Sequence, residues 1–406
     1  SLSFRDCEKG YVHAAACLLC MITETWVSTT FRARERGVPF DAQPGVSNSI
    51  TDVPGPAVGH STLISGGGPL TEGEGPVRTG VTVIHPRFDT SREGVFAGWF
   101  TLNASGEMTG TTWVSERGIL DGPIAITNTH SVGVVRDSLV SWMVDQGWDA
   151  IWHAPVVAET YDGALNDING QHVTKEHVYQ ALQASKTGEV QEGSVGGGTG
   201  MICNGFKGGI GTASRIFTIA EHHFTLGVLV QCNYNWDGDR LRFGGRLLEK
   251  ELPVGRHCHT DQGIERTRPW YPYCEDDRDA VHARMRDGSI IVVVATDAPL
   301  SPHQLTRLAK RPSLALGRLG AVSNDGSGDI FLAFSTGNKG QIDEYGFGNI
   351  KTFPNYQLST VFTAAVEATE EAIVNAMVSA TTMTGADGLK VEALPHDAVR
   401  QIFSSQ

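Results

Sequence analysis

A glycine followed by a hydroxyl residue, Gly288-Ser289, opens the most apolar run of the chain, Ser289-Ile-Ile-Val-Val-Val-Ala295. The stretch before it is polar and loop-like. This arrangement suits an intramolecular N→O acyl shift, in which the Ser289 hydroxyl attacks the Gly288 carbonyl. Glycine tolerates the strained backbone this requires and places no Cβ in the way. Hydrolysis of the resulting ester leaves Ser289 with a free α-amine. An unperturbed α-amine titrates near pH ~8, so it can act as a local base for its own hydroxyl. On pattern alone, the same residues also describe a turn followed by a strand.

Other clusters suggest other chemistry and fit it less well. The glycine runs Val195-Gly-Gly-Gly-Thr-Gly-Met201 and Lys207-Gly-Gly-Ile-Gly-Thr212 lack both phosphate-binding spacings, so close backbone packing beside a cleft is expected there. His222-His223 and His257-Cys258-His259 have no obvious carboxylate partner, and vicinal residues on a strand point apart. Cys17 and Cys20 form a C-x-x-C inside an apolar stretch without a second pair at zinc spacing. No metal and no organic cofactor are therefore expected. The seven cysteines are odd in number and irregularly spaced, which does not suggest a disulfide framework.

The elements that must position these residues follow from local pattern. Val81–Ile84, Val95–Leu102 and Pro123–Thr127 read as strands, and Arg136–Asp145 as a helical face. Thr174 caps a helix running to Leu182. Ile216–Ala220 and Phe224–Cys232 form a hairpin around Glu221-His-His. Residues 234–288 show no clear core pattern and read as a long surface excursion. Ser301-Pro302 is an N-cap with proline at the first helical position, opening a helix toward Leu316. Asp329–Ser335 is a strand, and Leu358–Met383 the last long helix. Residues 1–45 read as an extension and 46–406 as one catalytic domain.

Composition narrows the partners. Lys+Arg 32 against Asp+Glu 45 gives a net charge of −13, and no basic run of five occurs. Nucleic acid and anionic membrane surfaces are excluded as partners on that ground. The apolar stretch His13–Ile22 has about half the length a bilayer span needs, and only a rough likeness to a signal segment. Neither the N-terminal extension nor the cysteine count fixes the compartment, and the balance is slightly toward cytoplasmic.

Ordered landmarks along the chain then add a specific resemblance. They are Asn48–His60, Gly106-Glu-Met-Thr-Gly110, Gly122–Gly133, Glu159-Thr-Tyr-Asp-Gly163, the two glycine runs, Val230-Gln-Cys-Asn233, Gly288–Val293, Ala295–Leu300 and Gly326-Ser-Gly-Asp329. With these, the chain resembles the L-aminopeptidase/D-amidase-esterase family, which includes the β-peptidyl aminopeptidases. The resemblance runs from about Gly45 to Met383. It implies a four-layer αββα sandwich, similar to N-terminal-nucleophile hydrolases but differently connected. It implies self-cleavage into an α chain, 1–288, and a β chain, 289–406, and an oligomer such as a tetramer of αβ units. Carried over by residue, Ser289 is the nucleophile. Ser327 and Asp329 are a Ser-x-acid pair that helps deprotonate it, with Asp where some relatives have Glu. Asn233 stabilises the tetrahedral intermediate, a role typically contributing about 3–4 kcal/mol. Tyr161 is a phenol near the oxyanion or leaving group. Glu159 receives the free amine of a short peptide, amide or ester substrate. Read without the resemblance, Glu159 and Tyr161 pass as surface residues starting a loop. The rivals are an acyl-transferase resembling ornithine acetyltransferases, which use Thr where this chain has Ser289, and a non-catalytic relative whose cleft is blocked by residues 234–288.

Overall fold

The strand Ser289–Thr296 is buried at every position, as its unbroken apolar run predicts. Ile290, Val292 and Val294 join one hydrophobic cluster, and Ile291, Val293 and Ala295 another. Successive strand residues face opposite sides, so this strand lies in a sheet covered on both faces. In the computed structural model the described residues are 32–404, apart from 89–92, 149–150, 237, 239, 249, 253–256, 268–270, 276–287 and 343–346.

The strands in chain order are β1 (Ala57–Ser65), β2 (Val77–His85), β3 (Val95–Ala104), β4 (Ile119–Leu120), β5 (Ile124–Asn128), β6 (Val156–Thr160), β7 (Ile202–Cys203) and β8 (Phe206–Lys207). The hairpin β9 (Gly209–Ile219) and β10 (His222–Asn233) follows, then the short β11 (Arg242–Phe243), β12 (Arg246–Leu247) and β13 (Cys258–His259). The last are β14 (Ser289–Thr296), β15 (Gly328–Ser335), β16 (Met383–Thr384) and β17 (Leu389–Val391). The helices are α1 (Thr111–Arg117), α2 (Val132–Asp145), α3 (Lys175–Gln183), α4 (Pro302–Ala309), α5 (Pro312–Arg318), α6 (Leu358–Val378) and α7 (His396–Ser404).

Two large sheets result, one ordered β1-β2-β5-β6 and the other β4-β3-β15-β14-β10-β9. Ile84, Ile124 and Ile126 of the first pack on Leu229, Ile291, Val293 and Leu332 of the second, so the sheets face each other. The outer side of the first sheet, through Val81, Val83 and Ala125, meets Val135 and Leu139 of α2 and Val178 of α3. The outer side of the second, through Val228, Val292 and Phe331, meets Leu305 and Leu308 of α4, Leu316 of α5 and Ile373 of α6. The order of layers is therefore helix, sheet, sheet, helix.

Several local expectations change in detail. The helix opened by Ser301, whose capping box with Gln304 forms, stops at Ala309 and restarts at Pro312. The last long helix ends at Val378, and Met383 belongs to β16. The described part of 234–288 is not a mere surface excursion. It buries Trp236, Leu241, Phe243, Leu248, Leu252 and Tyr271, and β13 pairs with β17. The cysteine expectation is corrected as well: Cys203 bonds to Cys232 and Cys258 to Cys274. Pairing depends on which cysteines the fold brings together, which parity and spacing do not reveal. Cys7, Cys17, Cys20 and His13–Ile22 lie outside the described residues. Residues 31–406 form one compact unit, which begins ahead of residue 45. Ala33 and Val38 are buried in it, and Arg34 pairs with the fully buried Glu371. Among the described residues, no helix is long and apolar enough to cross a membrane.

Candidate active site

Three adjacent strands of the second sheet end together, and their register brings Asn233, Ser289 and Gly328 side by side. Asn233 on β10 is the antiparallel partner of Ser289, and Gly328 on β15 its parallel partner. Gly288 precedes them with φ +139°, in a region that disfavours L side chains. A Cβ there would overlap the Asn233 carbonyl and lie 2.8 Å from Trp236 Nε1. The glycine at the expected cleavage junction is thus required twice, by conformation and by space.

Directly paired antiparallel residues present side chains on the same face. Ser289 and Asn233 therefore share the inter-sheet face. Ser289 is only 6% exposed. The Gly328 N–H lies 3.2 Å from Ser289 Oγ and 3.2 Å from the Gly288 carbonyl oxygen, within reach of both the hydroxyl and the peptide group that precedes it. The Asn233 amide is fixed from both ends: Oδ1 accepts from Ile202 N–H at 2.8 Å and Nδ2 donates to the Tyr161 carbonyl at 2.8 Å. These partners define the amide orientation, because a backbone N–H only donates and a carbonyl only accepts. The second Nδ2 hydrogen is not used by either bond.

The first sheet contributes from the C-terminal ends of β5 and β6, which lie parallel. Glu159 is the next-to-last residue of β6 and is 3% exposed, not a surface residue. Its Oε1 accepts from Glu107 N–H at 2.9 Å, and its Oε2 accepts the Thr129 hydroxyl. Burial raises its pKa, and those two hydrogen bonds partly offset the rise. Gly106 separates it from the strand ends: a Cβ built there lies 3.0 Å from Glu159 Oε1 and 3.5 Å from Gly328 Cα. The Tyr161 ring sits 6.4 Å from that of Trp236, which donates to the Asn233 carbonyl at 3.0 Å. Beneath the site, Gln231 Nε2 ties the sheets by donating to the Thr127 carbonyl at 3.0 Å and the Thr160 hydroxyl at 2.8 Å.

Ser327 and Asp329 meet each other, Oγ to Oδ2 at 2.9 Å. They flank Gly328 and so take the face opposite to Ser289. The Ser289 hydroxyl is bonded to Gly328 N–H rather than to either of them. Asn103, across from Asp329 on β3, donates to Ser327 Oγ at 2.9 Å and to the Ser323 and Asn324 carbonyls. Burial raises the Asp329 pKa, opposed by the Ser323 and Ser327 hydroxyls and the Ile290 N–H.

Sequence reasoning passed over Asn103, Thr129 and Trp236. Thr129 lies inside the Gly122–Gly133 landmark, and Trp236 three residues past Asn233, so proximity in sequence was the available signal for both. The glycine runs do pack closely: Cβ atoms at Gly197 and Gly198 would overlap the Ile126 carbonyl or crowd the Ile210 amide. Cys258 is held in a disulfide, and among the described residues no three His, Cys, Asp or Glu side chains converge as a metal site.

Two facing sheets between helical layers, with a buried serine opening an interior strand behind a forced glycine, match the αββα sandwich of the N-terminal-nucleophile-hydrolase fold. The chain belongs to peptidase family S58, whose model matches residues 48–391. It is 52% identical over 378 residues to the β-peptidyl aminopeptidase BapA of Sphingosinicella microcystinivorans, covering 92% of this chain and 91% of that one. Among solved structures it is similar to the L-aminopeptidase D-Ala-esterase/amidase of Ochrobactrum anthropi, described as a prototype of the serine aminopeptidases with a variant Ntn-hydrolase fold (TM-score 0.80, 42% identity, 92% of this chain and 98% of that one). It is also similar to a Burkholderia sp. β-aminopeptidase (TM-score 0.78, 43% identity, 92% and 98%). The chain is a serine aminopeptidase, a peptide-bond hydrolase, and the acyl-transferase alternative is not favoured.

Proposed function

We propose that the chain matures by cutting itself at Gly288-Ser289 and then removes N-terminal residues, β-amino acids among them, from short peptides, amides and esters. The inclusion of β-amino acids is supported by the names of two relatives and the 52% identity of one. The observation that carries the mechanism is the register that sets Asn233, Ser289 and Gly328 side by side.

In maturation, Ser289 Oγ adds to the Gly288 carbonyl carbon as its proton leaves. The C–N bond breaks, the nitrogen takes up a proton, and water hydrolyses the ester. The products are a Gly288 carboxylate and a Ser289 that bears a free amine. Loss of the Gly288 acyl group lets the new N-terminal residue turn toward the Ser327 hydroxyl, which Asp329 backs as proton acceptor. In catalysis, Ser289 Oγ attacks the substrate carbonyl, and the free Nδ2 hydrogen of Asn233 stabilises the oxyanion. The leaving amine departs protonated, and water resolves the acyl-enzyme. Tyr161 stands near the oxyanion or leaving group. Glu159, ionised, holds the substrate ammonium near the scissile carbonyl. The working enzyme is a homo-oligomer of αβ units.

The reading is tested with paired substrates. A β-aminoacyl amide with a free amine should be hydrolysed and its N-acetylated counterpart should not. Equal turnover of the two would remove Glu159 as the amine receptor.

A further inference from the structure

Lys207 closes β8 with its side chain wholly buried, which is unusual for lysine and needs an explanation. Its ammonium donates to the Met201 carbonyl at 2.8 Å and the Gly208 carbonyl at 3.0 Å. The Met201 carbonyl also accepts the Gly208 N–H at 2.8 Å. That carbonyl belongs to the same peptide group as the Ile202 N–H, which holds Asn233 Oδ1. An unbroken sequence of donors and acceptors thus runs from the Lys207 ammonium through the Met201–Ile202 peptide and the Asn233 amide to the Tyr161 carbonyl.

Two further features act on the same link. The Cys203–Cys232 disulfide joins the residue after Ile202 to the residue before Asn233, so the two partners are tied covalently on one side. Burial pulls the Lys207 pKa down to about 7, and the Asp162 carboxylate, next to Tyr161 and itself pushed up by burial to about 7, opposes that pull, so the ammonium is fully charged only below neutral pH. A cation bound to a carbonyl polarises the peptide and strengthens its N–H as a donor, and linked hydrogen bonds reinforce each other.

We propose that Lys207 is a positioning residue for the oxyanion: through the Met201–Ile202 peptide it locks the Asn233 amide with Nδ2 facing the reaction. This rests on Asn233 as the oxyanion donor. Lys207 is wholly buried and its ammonium donates to backbone carbonyls, so its influence belongs in the transition state and not in substrate binding.

The experiment is a double-mutant cycle of Lys207→Met and Asn233→Ala, with kcat measured per titrated Ser289 in processed enzyme and melting temperature as the folding control. The expected result is a fall in kcat of about tenfold or more in Lys207→Met with KM nearly unchanged, against about 10²–10³ for Asn233→Ala. The double variant should be no worse than Asn233→Ala alone, since residues acting as one unit are not additive. Lys207→Gln, which keeps a donor without the charge, should fall between wild type and Lys207→Met, and it carries the test if the methionine variant does not fold. Unchanged kcat in folded Lys207 variants, or effects that multiply independently with Asn233→Ala, would overturn the proposal and leave Lys207 as a turn staple. Failure of both Lys207 variants to fold would also overturn it. Unchanged kcat in Asn233→Ala alone would instead sink the oxyanion reading, and this inference with it.

Discussion

At the scale of single residues, the separation of Ser289 from the Ser327–Asp329 pair is the main mechanistic problem. In the uncut chain the Ser289 hydroxyl accepts from Gly328 N–H, while the pair faces the other way. The pKa of an α-amine freed by cleavage would suit it as a base for its own hydroxyl, but the direct path between them closes a strained five-membered ring. A hydroxyl backed by a carboxylate avoids that strain. Ser327→Ala and Asp329→Asn should each lower turnover by about 10²–10⁴, and the double variant should be little worse. Near-normal kcat in both single variants of processed enzyme would show that the α-amine suffices. Glu159 gives a separate signature in pH dependence. It must be ionised to hold an ammonium, and its pKa is raised by burial. Its ionised fraction grows as pH rises through that raised value. Hence kcat/KM for a free-amine substrate should fall on the acid side at a pH above the ordinary carboxylate range. Glu159→Gln should lose this contribution and raise KM. An acid limb that stays in place in Glu159→Gln would assign it to another group.

Elements show how much of this was legible in the sequence. β14, the β9–β10 hairpin and the Ser301 cap are written in local runs and capping residues, so they are found where expected. The buried anchors of 234–288 follow neither a helical nor a strand period, so no window of the sequence marks them as core. Asn103 reaches Ser327 across 224 positions, and Lys207 acts through a peptide group that has no side-chain identity at all. Ser289 is singled out by its place after Gly288 at the start of an apolar run, and Glu159 and Asn233 by a family resemblance; in the fold Asn233 ends β10 beside Ser289 at the start of β14, and Glu159 is next to last in β6 of the facing sheet. That arrangement depends on close helix–sheet contact elsewhere. A Cβ at Gly211 on β9 would overlap the Ala372 carbonyl of α6. Gly211→Ala should therefore cost about 1–3 kcal/mol by overpacking and lower the melting temperature measurably. An unchanged melting curve would show that α6 can move off the sheet freely.

For the whole molecule, cleavage at 288/289 would not separate the products. β14 and β15, both C-terminal to the cut, are neighbours, and they are enclosed by β10 and β3 from before it. Parting them would break strand pairing on both sides and open the core between the sheets. Processed protein should elute as one species on native size exclusion and resolve into two chains only under denaturing conditions. Elution of the two products apart would contradict that arrangement. The most direct test of the central claim is intact mass under denaturing conditions, with N-terminal sequencing of the smaller product, for wild type and Ser289→Ala. Wild type should give two chains, the smaller beginning Ser-Ile-Ile-Val, and Ser289→Ala should remain a single inactive chain. A wild type that is active yet uncut, or a Ser289→Ala chain still split at this bond, would contradict it.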